Sequence, residues 1–276
     1  MNNLKTDHVT LGYGEKTILN DLNIEIPKGE ITVFVGGNGC GKSTLLRSMA
    51  RLLKPHSGNV VLDGKAISKM STKSVAQQLA ILPQSPVTPE GLTVLQLVKQ
   101  GRYPYQNWFK QWSQEDEDAV EQALQDTNLE ELKERTVDSL SGGQRQRAWI
   151  AMTLAQDTDI ILLDEPTTYL DMTYQIEILD LLFELNEREG RTVVMVLHDL
   201  NLASRYAHNI VALKDQTVYA QGKPEEIVTC KFVQDVFSMT CNVTSDPIFG
   251  TPMCIPYGRG RCLIKESVMS NEPNVG

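Results

Sequence analysis

The stretch Ile31-Thr32-Val33-Phe34-Val35-Gly36-Gly37-Asn38-Gly39-Cys40-Gly41-Lys42-Ser43-Thr44 decides how this chain folds. Its first five residues form a near-continuous apolar run, the pattern of a strand buried on both faces of a parallel sheet. The glycine-rich turn that follows fits G-x-x-x-x-G-K-[ST], and the strand before it and helix after it supply the context the motif needs. That helix carries Leu45, Met49, Leu52 and Leu53 on one face and is expected to stop at Pro55 and Gly58. Gly36, Gly37, Gly39 and Gly41 let backbone N–H groups turn inward around phosphate oxygens, and the helix adds its positive end. Lys42 can reach the β- and γ-phosphates of a nucleoside triphosphate, and the Ser43 hydroxyl can ligate Mg²⁺. Asn38, Cys40 and Thr44 complete the candidate phosphate-binding set, Cys40 through its backbone alone.

Outward from this loop, strands and helices alternate. Short β runs at 9–13 and 22–26 precede it, and buried-strand candidates follow at 79–82, 160–163 and 192–197. Residues 211–213 and 218–220, around Asp215-Gln216, read as a hairpin near the sheet edge. Between about residues 88 and 156 the pattern turns helical, with Ser113 as an N-cap, Asp116 three residues on, and Val120, Ala123, Leu124 and Thr127 at helical spacing. The run Glu115-Asp116-Glu117-Asp118 suits the positive end of that helix and reads as a solvated start. The whole predicts an α/β protein with a mainly parallel core sheet and an inserted helical subdomain, ending in a polar, frayed tail from Ser267.

Two further stretches carry chemistry. Ile160-Ile161-Leu162-Leu163-Asp164-Glu165 delivers two carboxylates to the C-terminal end of a buried strand, where α/β sheets bind ligands. Asp164 is placed to hold Mg²⁺ through water, and Glu165 to polarise an attacking water as general base. Leu140-Ser141-Gly142-Gly143-Gln144 opens a helix and makes a second set of N–H donors at a helix start. The two phosphate-binding helix starts lie about a hundred residues apart, and one bound nucleotide needs only one of them. The economical reading is that Ser141, Gly142, Gly143 and Gln144 cap the γ-phosphate of a nucleotide held by another copy.

The composition is that of an ordinary globular domain: 276 residues, 41% hydrophobic and 22% charged. A net charge of −9 argues against a nucleic-acid partner, which would call for a basic stripe. The longest apolar stretches fall far short of the ~18 residues of a membrane helix, and the first residues lack a signal-peptide pattern. Cys40, Cys230, Cys241, Cys254 and Cys262 are too unevenly spaced for a disulfide scaffold or a C-x-x-C site and read as buried or idle thiols in a reducing compartment.

Taken in order, the glycine loop, Leu-Ser-Gly-Gly-Gln, Leu162-Leu163-Asp164-Glu165-Pro166 and His198-Asp199 resemble the ABC ATPase family over roughly residues 4–240, with 241–276 as a short C-terminal extension. The resemblance implies a P-loop NTPase core with a small antiparallel β subdomain. It gives Tyr13 the adenine to stack on, although a strand tyrosine read alone packs a core. It makes Gln84 a sensor of Mg²⁺ and water, Asp171 a residue of the dimer interface, and His198 a contact of the γ-phosphate, although a lone histidine after a strand is otherwise structural. Glu165, His198 and Gln84 form the implied catalytic set, and Ser43, Gln84 and Asp164 the implied Mg²⁺ set. Gly37 departs from the family, which has proline there, and should loosen the loop slightly. The implied partners are ATP, a second copy of the subunit, an integral membrane permease and, indirectly, a substrate-binding protein, at the cytoplasmic face of the membrane.

Gly101-Arg102-Tyr103-Pro104, Thr167-Thr168-Tyr169-Leu170-Asp171, His198-Asp199-Leu200-Asn201 and the segment from Asp246-Pro247 to Gly250-Thr251-Pro252 resemble the ATPase subunits of bacterial ferric-siderophore importers and of the related cobalamin and haem importers. The rival from another class is a non-transport ABC ATPase. Such chains insert a long coiled coil or carry two cassettes, whereas here the gap before Ser141 lacks heptads and there is one cassette.

Overall fold

A computed structural model describes residues 3–84, 86, 90–106 and 112–259. Two long antiparallel strands, β1 (Leu4–Tyr13) and β2 (Lys16–Ile26), precede β3 (Ile31–Val35), which leads through the glycine turn into α1 (Lys42–Met49). Next come β4 (Ser57–Leu62), β5 (Lys65–Ala66), α2 (Thr72–Ala76) and β6 (Leu79–Leu82). A helical segment follows with α3 (Val94–Gln100), α4 (Gln114–Asp126) and α5 (Gly142–Ala155). The chain then alternates through β7 (Ile160–Leu163), α6 (Met172–Glu189), β8 (Thr192–Val196), α7 (Leu200–Tyr206), β9 (Asn209–Lys214) and β10 (Thr217–Gly222). It closes with α8 (Pro224–Ile227), α9 (Cys230–Phe237) and a hairpin of β11 (Cys241–Ser245) and β12 (Pro252–Pro256).

The central sheet runs β10-β9-β3-β8-β7-β6, parallel from β9 to β6, with β10 antiparallel at the edge. Strands β3, β7 and β8 are almost wholly apolar and buried, as expected where both faces are covered, whereas the edge strand β10 is partly exposed; in β3 and β7 successive side chains enter different cores. Ile31, Val33 and Val35 face a core built with α3, α4, α5 and α6, whereas Phe34 faces one shared with α1 and the second, antiparallel sheet β2-β1-β4-β5. β7 divides in the same way, with Ile161 and Leu163 on the helical side and Ile160 and Leu162 on the other. The mainly parallel sheet, the antiparallel sheet and the edge hairpin at Asp215-Gln216 match the sequence expectation.

Two expectations need correction, and one element is new. α1 ends at Met49, before the expected proline stop: Arg51 turns left-handed (φ 62), and Leu52 lies 64% exposed. The acidic start of α4 is only partly solvated, since Asp116 is buried and its Oδ1 accepts from Arg102 Nε at 2.9 Å while its Oδ2 accepts from Ser113. Ser113 and Asp116 still form the expected capping box. The C-terminal segment carries a hairpin that the sequence reading did not foresee, with Cys241 and Cys254 buried in the helical-side core. Burial, followed by the neighbouring Cys254 and Cys230, pushes the Cys241 thiol up to about 12 and so keeps it protonated. Thr88, Cys262 and the tail from Ser267 lie outside the described residues. Among the described residues, no helix is long and apolar enough to cross a membrane.

Candidate active site

β3, β7 and β8 are neighbours in the sheet and end at the same edge, so the chemistry-bearing residues that follow them meet although they are far apart in sequence. After β3 the loop turns through left-handed Gly36 (φ 141), Gly39 (φ 76) and Gly41 (φ 103). Gly41 is the N-cap of α1, and a Cβ there would come within 2.7 Å of the Leu19 side chain. Backbone without side chain is therefore required at the helix start, and its N–H groups remain directed into the loop. Lys42 is buried, and its ammonium arches back to donate to Gly36 O at 2.8 Å and Gly37 O at 3.1 Å. Thr44 is buried and Asn38 exposed, while Gly37 has no heavy atom within 4 Å of a built Cβ.

β7 is followed by Asp164, and Ser43 Oγ donates to its Oδ1 at 2.7 Å, joining the loop to a strand that lies beyond β8 in the sheet. Asp164 Oδ2 is buried without a hydrogen-bond partner, and Arg47 Nε stands 3.9 Å away. Burial dominates the Asp164 carboxyl and holds it above the usual aspartate range, against the pull of Ser43, Arg47 and Lys42. A hydroxyl beside a buried carboxylate with an unsatisfied oxygen suits a small hard cation such as Mg²⁺, which would supply the charge this carboxylate lacks.

The next residue, Glu165, adopts a left-handed backbone (φ 55), an uncommon conformation for a residue with a side chain and one that concentrates at functional sites. The turn aims its carboxylate into a ring of donors. Gln84 Nε2 and Thr168 Oγ1 donate to Oε2 at 2.6 and 2.9 Å, and His198 Nε2 lies 2.8 Å from Oε1. Burial pushes this carboxyl up, but the bonds from His198, Thr168 and Gln84 outweigh it and hold the group below the ordinary glutamate range. It therefore stays ionised near neutral pH with defined lone pairs. Thr168 is the member of this ring that the sequence reading did not assign to it. Its signal was a hydroxyl three residues after a carboxylate in a turn, a local pattern easily passed over. Phe237, at the end of α9, lines the cleft beside Gly36, Gly37, Asn38 and His198, and nothing local in sequence announces it.

The second helix start is assembled apart from this cluster. Ser141 Oγ accepts from Gln144 N–H and Gln144 Oε1 accepts from Ser141 N–H, at 3.3 and 3.1 Å, closing a capping box. Gly143 lies against Tyr174, where a Cβ would come within 2.7 Å of the ring. Arg147 ion-pairs with Glu177 and stands over the same Tyr174 ring. Tyr174 belongs to the first turn of α6, whose N-cap is Asp171, with Oδ1 accepting from Tyr174 N–H at 3.1 Å. Asp171 thus steadies the surface on which the Ser-Gly-Gly turn rests. Tyr13 closes β1 and is 50% exposed, so it is not the core residue that its strand position alone suggests.

A strand–loop–helix phosphate cradle beside a strand ending in two carboxylates defines a P-loop nucleoside triphosphatase. The chain matches the family described as ABC transporter over residues 19–168, and it belongs to that family as an ATPase subunit. It is 70% identical over 263 residues to the petrobactin import ATP-binding protein FpuD of Bacillus anthracis, covering 95% of this chain and 96% of that protein. It is 50% identical over 256 residues to the ferric enterobactin transport ATP-binding protein FepC of Escherichia coli (strain K12), covering 93% and 94%. Among solved structures, the dimeric ABC transporter cassette MJ0796 superposes with a TM-score of 0.71 at 33% identity, covering 80% of this chain and 98% of that one.

Proposed function

We propose that this chain hydrolyses ATP to drive the import of ferric siderophores, paired with a second copy of itself against the cytoplasmic face of a membrane permease that receives its cargo from a binding protein. The observation that carries the hydrolytic reading is the Glu165 carboxylate, kept ionised by Gln84, Thr168 and His198 at the mouth of the phosphate loop. The cargo reading is supported by similarity over more than nine-tenths of the chain to ATP-binding proteins of petrobactin import and ferric enterobactin transport.

In this reading the loop from Gly36 to Thr44 wraps the phosphates with N–H groups, and Lys42 exchanges the carbonyls of Gly36 and Gly37 for β/γ-phosphate oxygens. Tyr13 stacks on the adenine. Ser43, Asp164 and Gln84 would hold Mg²⁺, which would neutralise phosphate charge. Glu165 takes the proton of the attacking water, while His198 bridges Glu165 and the γ-phosphate. The Ser141 hydroxyl, which still has its own proton while accepting from Gln144, donates to the γ-phosphate of the partner copy, and Asp171 faces that partner. The ATPase unit spans 4–240 with its helical subdomain at about 88–156, and 241–276 is the extension.

A growth test addresses both halves of this reading. A strain deleted for the gene should fail on ferric siderophores as sole iron source, recover with the wild-type gene, and not recover with Glu165→Gln. Recovery with that variant would remove Glu165 as the base. A defect confined to cobalamin or haem would move the cargo to those classes.

A further inference from the structure

Apart from the 2.8 Å contact of its ring with Glu165 Oε1, His198 is strung between two backbone anchors. Before it, Leu197 N–H donates to Phe34 O at 3.4 Å, and after it Asp199 caps α7 by accepting from Asn201 N–H at 2.8 Å and Leu202 N–H at 3.0 Å. The imidazole is 47% exposed, so packing does not fix its direction. Its position follows that of the first turn of α7, a seven-residue helix too short to hold itself in place.

α7 packs on the core through Ala203 and Tyr206, whose hydroxyl donates to Asp180 Oδ1 at 2.7 Å, and the C-terminal hairpin adds further contacts that begin at the first turn of the helix. Asn201 Oδ1 accepts from Cys254 N–H at 2.7 Å and its Nδ2 donates to Cys254 O at 3.2 Å, so one amide grips both backbone groups of one residue on β12. One turn on, on the same face, Arg205 donates to Asp246 Oδ2 at 2.9 Å and stacks over Phe249 at 4.2 Å. Asp246 is itself locked, with Oδ1 accepting from Ile248 and Phe249 N–H at 2.9 and 3.1 Å. The hairpin also packs on α9, whose Phe237 lines the cleft shared by His198 and the phosphate loop. It therefore braces two elements, α7 and α9, that adjoin the residues of the hydrolytic cleft.

We propose that the β11–β12 hairpin is a positioning element for ATP hydrolysis, and that Asn201 is the positioning residue through which it sets His198 against Glu165. This rests on the role given to His198 above. Releasing the amide clamp lets α7 shift, and a displacement of about 1 Å at a group that must meet a γ-phosphate costs up to ~10²-fold in rate while leaving nucleotide affinity intact.

The test is a double-mutant cycle on the full-length chain, with kcat, ATP affinity and thermal melting read for each variant. Asn201→Ala is expected to lower kcat about tenfold, within the range of a small misplacement, with ATP affinity unchanged. In a His198→Ala background it should lower residual kcat no further. Asp246→Asn, which keeps an acceptor for the two backbone N–H groups but loses the ion pair to Arg205, should give the same pattern more weakly and serves if Asn201→Ala melts early. Unchanged turnover in both Asn201→Ala and Asp246→Asn would overturn the proposal, as would an equal loss with and without His198. If His198→Ala alone left kcat intact, the role of His198 would fail first and the proposal with it, a result distinguishable from a failure of the clamp.

Discussion

The starts of α1 and α5 are both glycine turns able to present N–H groups to a phosphate, yet they are built in opposite ways. α1 begins at Gly41, in a left-handed conformation with no side-chain cap, and Lys42 and Thr44 are buried. Asp164 joins it through Ser43, and the strand end carrying Asp164 continues into Glu165. α5 begins at Ser141, whose side chain closes a capping box with Gln144 on an exposed surface. A phosphate that occupies the α1 start acts as the cap that the sequence withholds. The α5 start is already capped by its own serine, so it is stable before any ligand arrives, and the hydroxyl keeps a proton to donate. The uncapped glycine start of α1 leaves its N–H groups to a ligand, whereas the serine start of α5 is satisfied within the chain.

The comparison can be broken most directly at Lys42. Lys42→Ala should abolish ATP binding in calorimetry, because it removes the buried ammonium of the α1 start. Ser141→Arg should leave the affinity of the monomer intact. Equal loss in both variants would mean that the two starts serve one nucleotide within one chain.

Glu165→Gln sharpens the contrast by separating binding from chemistry. ATP should still bind while turnover falls at least ~10²-fold, the scale of a general-base contribution. Gel filtration of this variant should reveal an ATP-dependent dimer, and adding Ser141→Arg should abolish it. A double variant that still dimerises on ATP would end the shared-site reading.

Smaller effects test the caps themselves. Ser141→Ala removes an acceptor from the Gln144 N–H and should lower stability by about 1 kcal/mol in chemical denaturation, in addition to its effect on turnover. Gly37→Ala should do the reverse. Its built Cβ meets nothing within 4 Å and its φ is not positive, so restricting the unfolded chain should stabilise by roughly 0.5 kcal/mol with ATP binding unchanged. A destabilised Gly37→Ala would mean that the loop needs the freedom of glycine at that position too.

Legibility in the sequence followed the range of the interactions. The phosphate loop, the strand ending in Asp164-Glu165 and the Ser141 turn are contiguous stretches whose chemistry lies in neighbouring residues, and each could be read directly. Thr168 was harder, since its hydroxyl takes part only because Glu165 turns left-handed. Asp116 looked like one more solvated carboxylate of an acidic run until Arg102, fourteen residues earlier, was seen to reach it in the interior. The hairpin after α9 was the largest omission. Its strands are short, and the residues that hold it, Asn201 and Arg205, lie in a different element.

Periodicity and motif spacing are properties of local chain, so the α/β class, the parallel core, both helix starts and the acidic pair are legible before any fold is known. The convergence of Gln84, Thr168 and His198 on one carboxylate, the support of Gly143 by Tyr174 and the grip of the β11–β12 hairpin on α7 arise only in the folded arrangement. The physical reason is that a strand specifies which of its residues are buried but not which strand lies beside it. Neighbours are chosen by packing two cores against one sheet, and that choice brings positions 84, 165 and 198 within hydrogen-bonding distance.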